Sequence, residues 1–230
     1  VSISNDGGST FVNRTTANGL GSNLVQSVHA SGSTIYAATF VRNKADSAQF
    51  SVSVDGGKTF VNKPLAGNHT SKIIVMGSKI YVMASGSSHE YVNEKFEDLY
   101  VTSDNGNTFS NISSFDYFNT MHFANNSIFL ATRAGIKILD SSGARINSIS
   151  NTAAFGNIVG SNAINKTFVE GSTIYVGARG GGLYKSTDSG KSFVQLGLNR
   201  HYFNDLVKVG SKIFAATSGG LYISSDNGNT

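Results

Sequence analysis

The sequence predicts an all-β protein built from about five repeats of four short strands. The first observation is composition: of 230 residues, 26 are glycine, one is proline and none is tryptophan. Charged residues make up 14%, against roughly 25% in an average soluble domain. This composition favours many strands joined by tight polar turns over helices. The second and third observations are two short sequence patterns that recur along the chain.

The first pattern is Ser/Thr-x-Asp-x-Gly-x-Thr/Ser-Phe, which we call the box turn. Its copies are Ser4–Phe11, Ser53–Phe60, Thr102–Phe109, Ser186–Phe193 and Ser224–Thr230, the last of which ends before the aromatic position. Their aspartates are Asp6, Asp55, Asp104, Asp188 and Asp226. A degenerate copy, Leu139–Ile146, has Ser141 at the aspartate position. Asp and Ser/Thr side chains satisfy backbone N–H groups in turns, and glycine accepts a positive φ, so the pattern predicts a tight turn between two strands.

The second pattern, Gly-Ser-x-Ile-Tyr/Phe, lies between the box turns. It occurs at Gly32–Tyr36, Gly77–Tyr81, Gly171–Tyr175 and Gly210–Phe214, with Asn125–Phe129 as a variant. The isoleucines at 35, 80, 128, 174 and 213 are therefore 45, 48, 46 and 39 residues apart. Steps of this size are typical of one four-stranded blade of a β-propeller. The sequence thus predicts a β-propeller of about five blades, with the box turns between strands C and D of each blade.

The first full repeat illustrates the four predicted strands. Strand A is Leu24–Ala30, strand B is Ile35–Phe40, strand C is Phe50–Ser53 and strand D is Thr59–Asn62, because apolar residues alternate and β-branched residues are enriched there. No segment predicts a helix. The repeats predict one domain over 1–230, with blades at about 22–63, 70–113, 117–150 and 165–197. A fifth blade is predicted to be shared by 1–15 and 203–230, which closes the ring. This arrangement leaves one predicted C strand without a place. The alternative is that the chain is part of a longer array of repeats.

The box turns resemble the Asp-box, or bacterial neuraminidase repeat, of sialidases, sortilin-like receptors, some glucanases and several propeller lectins. The resemblance covers nearly the whole chain and implies that the box aspartates are structural. It also raises sialidase activity, for which the family needs an arginine in an Arg-Ile-Pro context. The only proline here is Pro64, which follows Lys63. No catalytic residue carries over, and the sequence argues against a sialidase.

Composition excludes several other classes of function. No apolar run approaches the roughly 18 residues that span a membrane. Cysteine is absent, so neither disulfides nor thiolate metal sites are available. The net charge of +4 is not gathered into a basic stripe with interleaved aromatics, so nucleic-acid binding is not predicted. We predict no cofactor and no metal.

The candidate binding site lies on the D–A and B–C loops, which a propeller places on the face opposite the A–B turns and the box turns. Arg133 and Arg179 each stand five residues after the repeat isoleucine, so they begin the B–C loops of neighbouring blades. The following D–A loop supplies Arg200, His201 and Tyr202. Guanidinium groups beside a tyrosine suit a carboxylate or sulfate on a sugar ring. The alternative is that these arginines only cover loops or pair with Asp205.

Other polar residues are weaker candidates. The long B–C loops are Val41–Gln49 and Ser85–Asp98, and both carry charged residues. The second loop holds His89, which with its charged neighbours suggests a metal site or an acid/base pair. The alternative is a solvated, charged loop. His29 and His122 share one strand-A column with apolar residues, so we expect them to pack between blades.

The sequence therefore predicts a non-enzymatic, lectin-like binding or adhesion module that recognises glycans, with anionic glycans as the narrower prediction. A secreted or cell-surface, bacterial location accompanies this prediction. The alternatives are a polysaccharide-active hydrolase or lyase that uses His201 and Tyr202 or the His89 loop, and a scaffold for protein assembly. Equivalent weak sites favour a lectin, one deep cleft favours an enzyme, and a large exposed apolar patch favours a scaffold.

Overall fold

The computed structural model confirms an all-β chain of small antiparallel sheets. It describes residues 1–40, 48–65, 70–85, 96–116, 118–132, 135–150, 164–198 and 201–230. These residues contain 21 strands, and their only helical element is a single 3-10 turn, Thr16–Asn18. The chain divides into two compact units, Val1–Phe115 and Asp116–Thr230.

The first unit contains a two-stranded sheet followed by two four-stranded sheets. Its strands are β1 (Ser2–Ile3), β2 (Val12–Asn13), β3 (Leu24–Ser31), β4 (Thr34–Phe40), β5 (Ala48–Ser53), β6 (Val61–Leu65), β7 (Thr70–Met76), β8 (Lys79–Ser85), β9 (Phe96–Thr102) and β10 (Ser110–Asp116). The sheets are β1-β2, β3-β4-β5-β6 and β7-β8-β9-β10, in each case with strands that follow one another along the chain lying side by side.

The second unit contains two four-stranded sheets and one three-stranded sheet. Its strands are β11 (Phe118–Ala124), β12 (Ser127–Thr132), β13 (Gly135–Leu139), β14 (Arg145–Ser150), β15 (Ile164–Glu170), β16 (Thr173–Ala178), β17 (Gly182–Ser186), β18 (Val194–Gly197), β19 (Phe203–Val209), β20 (Lys212–Thr217) and β21 (Gly220–Ser224). The sheets are β11 to β14, β15 to β18 and β19 to β21, again in chain order.

Strands A, B and C of the first full repeat lie within a residue or two of the predicted ones, but strand D does not. The prediction was Thr59–Asn62, whereas β6 runs over Val61–Leu65 and its first pair is Val52 with Val61. Strand pairing starts late because the N–H of Phe60 donates to the carbonyl of Asn18, 2.8 Å away in the preceding loop. The aromatic residue of this box turn therefore belongs to the turn and not to the strand.

The predicted box turns share one hydrogen-bond network, which explains the recurring residue types. In the copy at Asp55, the Ser53 hydroxyl donates to Oδ1 (2.7 Å), the Thr59 N–H donates to Oδ1 (3.0 Å) and the Thr59 hydroxyl donates to Oδ2 (2.6 Å). The N–H of Gly57 donates to Ser53 Oγ (2.8 Å). Equivalent bonds recur at Asp6, Asp104, Asp188 and Asp226. Each aspartate therefore holds its turn closed from within.

The degenerate copy forms a different turn. Ser141 occupies the aspartate position, and the neighbouring Asp140 supplies the carboxylate. Its Oδ1 accepts from the N–H groups of Ser142 (2.7 Å) and Ala144 (3.1 Å). The turn is tighter than the others, and Leu139 pairs directly with Arg145.

The core lies between neighbouring sheets, and the box turn glycines Gly57, Gly106, Gly190 and Gly228 each lie against an apolar side chain of the preceding sheet. A Cβ on Gly106 would meet the ring of Phe50 at 2.8 Å, and one on Gly190 would meet Ile149 at 2.3 Å. The aromatic residue of the box turn packs in the same place: Phe109 meets Phe50 edge-on, with ring centroids 5.6 Å apart. The box turn thus fixes both its own hairpin and the stacking of one sheet on the sheet before it.

The first and last sheets bear on the predicted shared blade. In the described chain, β1 and β2 pair only with each other, and β19 to β21 form a separate sheet of three. Within the first unit the β1-β2 hairpin packs on the next sheet, since Ile3 contacts the box turn glycine Gly57 and Arg14 Nε donates to the Gly57 carbonyl (2.7 Å). The joining of these segments into one fifth blade stays a prediction.

Candidate functional site

The candidate site lies at one end of the last two sheets, on three neighbouring loops. These are residues 178–182 between β16 and β17, the described residues 198, 201 and 202 between β18 and β19, and residues 217–220 between β20 and β21. Because the strands are antiparallel, these loops stand at the end opposite the box turns of Asp188 and Asp226. Arg179, His201 and Tyr202 therefore come from this end of the second unit.

Backbone hydrogen bonds tie the three loops together. The N–H of Gly180 donates to the carbonyl of His201 (3.2 Å). Ser218 and Tyr202 bind each other twice: the Ser218 N–H donates to the Tyr202 carbonyl (2.9 Å), and the Tyr202 N–H donates to the Ser218 hydroxyl (3.1 Å). Buried Phe203 anchors the start of β19, packed against Gly177 of β16. The side chains between these anchors are consequently presented from fixed backbone.

Arg179 and Tyr202 form a cation–π pair on the surface. The guanidinium carbon of Arg179 lies 5.3 Å from the centroid of the Tyr202 ring, and 49% of Tyr202 is exposed. Such a pair holds the arginine in place but leaves its N–H donors free for a ligand. Among the described residues, no carboxylate forms an ion pair with Arg179; Asp205, the partner considered from the sequence, lies 2.9 Å from Lys166 Nζ.

His201 forms a second pair beside the first, with a tyrosine that sequence reasoning missed. His201 Nε2 lies 3.3 Å from the hydroxyl of Tyr222, and the ring centroids are 5.2 Å apart. The imidazole rests directly on Gly219, where a Cβ would stand 2.3 Å from its Cε1. We call Arg179, His201, Tyr202, Gly219 and Tyr222 the loop cluster.

A repeated column in the sequence could have indicated Tyr222. Tyr100, Tyr184 and Tyr222 each stand two residues before the first Ser or Thr of a box turn. In the earlier repeats this tyrosine is buried, and the Tyr184 hydroxyl accepts from Gln195 of the fourth strand (3.2 Å). Tyr222 is 37% exposed, since its sheet has three strands in the described chain. The column was visible, but only the structure distinguishes its exposed member.

The remaining predicted residues are distributed as follows. Arg133 and Arg200 lie outside the described residues, as do 41–47 of the first long loop and 86–95, with His89, of the second. His122 lies between sheets as expected, with its ring 5.5 Å from that of Phe168, and burial lowers its pKa. In the part of the chain that the structure describes, no group of three His, Cys, Asp or Glu is arranged to hold a metal ion. Nor does any helix there have the length and apolarity to cross a membrane.

The carboxylates of the box turns have lowered pKa values because they accept hydrogen bonds within their own turns. Hydrogen bonds from the Thr10 hydroxyl and N–H, and from the Ser4 hydroxyl, lower the pKa of Asp6 to about 2. The same bonds lower the pKa of the other four, Asp55, Asp104, Asp188 and Asp226. A carboxylate whose oxygens accept turn hydrogen bonds and whose pKa is low is poorly suited to proton transfer near neutral pH.

Comparison with known proteins identifies the class of fold. The chain aligns with a structure of YCF48 bound to D1 peptide at 15% identity and a TM-score of 0.66, over 90% of this chain and 65% of that one. It aligns with the extracellular domain of the putative one component system BT4673 from B. thetaiotaomicron at 14% identity and a TM-score of 0.64, over 86% of this chain and 26% of that one. It aligns with the GH74 xyloglucanase from Xanthomonas campestris at 11% identity and a TM-score of 0.62, over 89% of this chain and 37% of that one.

These neighbours are β-propellers, and the chain has a β-propeller fold made of repeats. At these identities the likeness shows the fold alone. The chain spans less than two thirds of the length of each of these three structures. No protein-family model matches the sequence, and no curated protein matches it.

Proposed function

We propose that this chain is a non-enzymatic binding module that holds an anionic glycan at the loop cluster, in a secreted or cell-surface bacterial protein. The observation that supports it is the Arg179–Tyr202 pair, in which a guanidinium without an ion-pair partner in the described chain lies over an exposed ring. A guanidinium binds carboxylate or sulfate through two parallel hydrogen bonds, and an ammonium does so less well.

The aromatic rings supply the second element of recognition. Tyr202 and Tyr222 present exposed faces within one cluster, and each has an apolar ring with a polar hydroxyl. A sugar ring has one less polar face, which an aromatic side chain covers at a small loss of side-chain entropy. His201 contributes a further hydrogen-bonding nitrogen.

Binding at such an exposed site is modest in strength and sensitive to salt. Exposed charge pairs are screened over about 8 Å at physiological ionic strength. We therefore expect affinity for an acidic polysaccharide to fall as salt rises, and affinity for neutral polysaccharides to be weak at any salt concentration.

The test is a glycan array with charged and neutral polysaccharides, followed by calorimetry with the best ligand. Arg179→Ala should weaken binding about tenfold or more, and Arg179→Lys should restore only part of it, because an ammonium lacks the planar pair of donors. Arg145→Ala is the matched control, since Arg145 is also exposed but lies beside a C–D turn. Equal binding by Arg179→Ala and the wild type would refute the proposal.

The sequence prediction that Arg133 and Arg200 join this site extends the proposal. Arg133→Ala combined with Arg179→Ala should abolish binding without lowering the Tm. Full affinity of the double variant for an uncharged glycan would instead move the site to the two long B–C loops.

A second candidate function is a polysaccharide-active enzyme, and one observation favours it. The His201–Tyr222 contact of 3.3 Å pairs two groups that transfer protons in many enzymes. For this second function, the proposed reacting pair is His201 with Tyr222, in place of the His201 and Tyr202 predicted from the sequence. Release of new reducing ends, or of unsaturated sugars, from an acidic polysaccharide would establish it, provided that Tyr222→Phe abolishes the release.

A further inference from the structure

A cavity lies between the first two sheets of the second unit, β11 to β14 and β15 to β18, beside the box turn of Asp188. Its volume is 340 Å³. Its lining includes three buried apolar residues, Phe129, Ile138 and Ile174, and three exposed polar residues, Asn125, Asn147 and Ser189. None of the described residues that line the cavity is charged. The cavity thus combines an apolar floor with an uncharged, hydrogen-bonding rim.

In two other repeats, a tyrosine hydroxyl reaches the equivalent place. Tyr36 of β4 follows the repeat isoleucine, and its hydroxyl donates to Asn105 Oδ1 in the box turn of the next sheet (3.1 Å). Tyr175 holds the same position in β16, and its hydroxyl donates to the carbonyl of Asn227 in the box turn of the next sheet (3.3 Å). Phe129 takes this position in β12 and has no hydroxyl group. The hydrogen bond that joins one sheet to the next box turn is therefore missing at the cavity.

The residue that pairs with this tyrosine differs as well. In β17 it is Lys185, whose Nζ also donates to the Asn227 carbonyl (3.2 Å). The equivalent residue in β13 is Ile138, which pairs with Phe129 and has no donor. Ser189 stands in its box turn where Asn227 stands in the next one. The turn at Ser189 therefore meets two apolar side chains where the corresponding turn receives two hydrogen bonds.

Two residues of the rim also depart from the repeat. Asn125 replaces the glycine that begins the second sequence pattern, and its φ of +52° is one that asparagine tolerates better than most residues. Its Nδ2 donates to the carbonyl of Gly171 in the next sheet (2.6 Å). Asn147 directly follows the degenerate box turn, at the position that Val61 and Val194 occupy after theirs. Departures from a regular pattern that gather around one cavity indicate a function there.

We propose that this cavity binds one neutral sugar ring, and that a sugar hydroxyl donates to the Ser189 carbonyl in place of the absent tyrosine hydroxyl. The side-chain amides of Asn125 and Asn147 both donate and accept, which suits further sugar hydroxyls. The apolar floor at Phe129 suits the less polar face of the ring. A charged sugar is excluded, because the lining offers no counter-ion for a buried charge. The volume lies near the lower end of the roughly 300–1,000 Å³ of small-molecule sites, which limits the ligand to one ring. The site does not depend on the loop cluster, which lies at the opposite end of these sheets.

The test is an NMR titration of the ¹⁵N-labelled full chain with free D-glucose, D-galactose and D-mannose in turn. At least one sugar should shift the backbone amide signals next to Ser189 saturably, with a dissociation constant of about 1 mM, because a single ring makes few contacts. Phe129→Tyr should weaken binding at least about tenfold without lowering the Tm, since it restores the hydroxyl that other repeats have. Tyr36→Phe is the matched control, because it makes the reverse change at the equivalent position of the first unit and should leave sugar binding unchanged.

Each outcome decides the proposal. Binding that Phe129→Tyr removes and Tyr36→Phe does not remove establishes the site. Asn147→Val is a second variant that restores the repeat residue, and it should also remove binding, so the test does not rest on one substitution. Failure of all three sugars to bind overturns the proposal in favour of a cavity that holds only water. Loss of sugar binding in Arg179→Ala overturns it as well, because the sugar would then be bound at the loop cluster.

Discussion

The contact between sheets through the box turn glycine can be measured with one substitution, Gly106→Ala. Gly106 has a φ of +81°, and an added methyl group would stand 2.8 Å from the ring of Phe50 and 3.2 Å from that of Phe109. Gly77 of the same sheet is the matched control, because its φ is +56° and nothing lies within 4 Å of the added methyl group. Both variants strain the backbone, but only Gly106→Ala intrudes between sheets.

The two contributions can be separated by magnitude. A non-glycine residue at positive φ costs about 1–2 kcal/mol. Overpacking a close-packed contact costs roughly 1–3 kcal/mol more. We therefore expect Gly77→Ala to lower the free energy of unfolding by about 1–2 kcal/mol and Gly106→Ala by about 2–5 kcal/mol. The latter is a large fraction of the 5–15 kcal/mol typical of a domain.

The assay is urea unfolding followed by circular dichroism, which suits a chain without tryptophan. The midpoint should fall in both variants, and further for Gly106→Ala, with a similar m-value. Equal loss of stability in the two variants would show that the glycine is needed only for its backbone conformation. The interpretation of the box turn as a contact between sheets would then be wrong.

Three further predictions concern pH and the loop cluster. The pKa of Asp55 is lower in the folded chain than the ordinary value of about 3.9. Its contribution to stability is therefore fully present above that pH and is lost progressively as the pH falls below it toward the pKa of the folded chain. Asp55→Asn should lower the Tm at pH 7 and flatten its fall below pH 4, and an unchanged profile would contradict this. Burial lowers the pKa of His122 in the folded chain, so the folded state loses stability as the pH falls below about 6.5. His122→Leu should reduce the dependence of the Tm on pH between pH 7 and pH 5. An unaltered dependence would contradict this role of His122. Gly219→Ala should displace the His201 ring and weaken glycan binding without lowering the Tm, whereas a fully active variant would remove His201 from the site.

Much of the fold follows from local sequence. The residues of each box turn bond within the turn itself, so the pattern that predicts the turn also contains its stabilising partners. The exception at β6 is instructive, since the Phe60 N–H bonds to Asn18, 42 residues earlier in the chain, and no local pattern encodes that contact. The turn at Asp140 shows that a carboxylate one position away closes a different turn.

The candidate site was less predictable because it depends on contacts between repeats. The columns of the repeat placed Arg179 on the loop end, but its contact with Tyr202 joins two loops that are separated by a whole hairpin. Tyr222 was missed since the sequence does not show which tyrosine of its column is exposed in the described chain. Prediction from repeats thus gives the position of a residue within a sheet, and the structure adds its neighbours in the next sheet.

The compactness of the box turn also has a consequence for how the chain folds. Every bond that Asp55 accepts comes from a residue within four positions, so the loop that must close is very short. Contacts of this kind form early, before strands of distant segments meet. Repeats of similar sequence risk pairing with the wrong neighbour during folding. A turn that joins each C strand to the D strand that follows it makes these two strands pair first. Early pairing within a repeat limits the pairing of strands from different repeats.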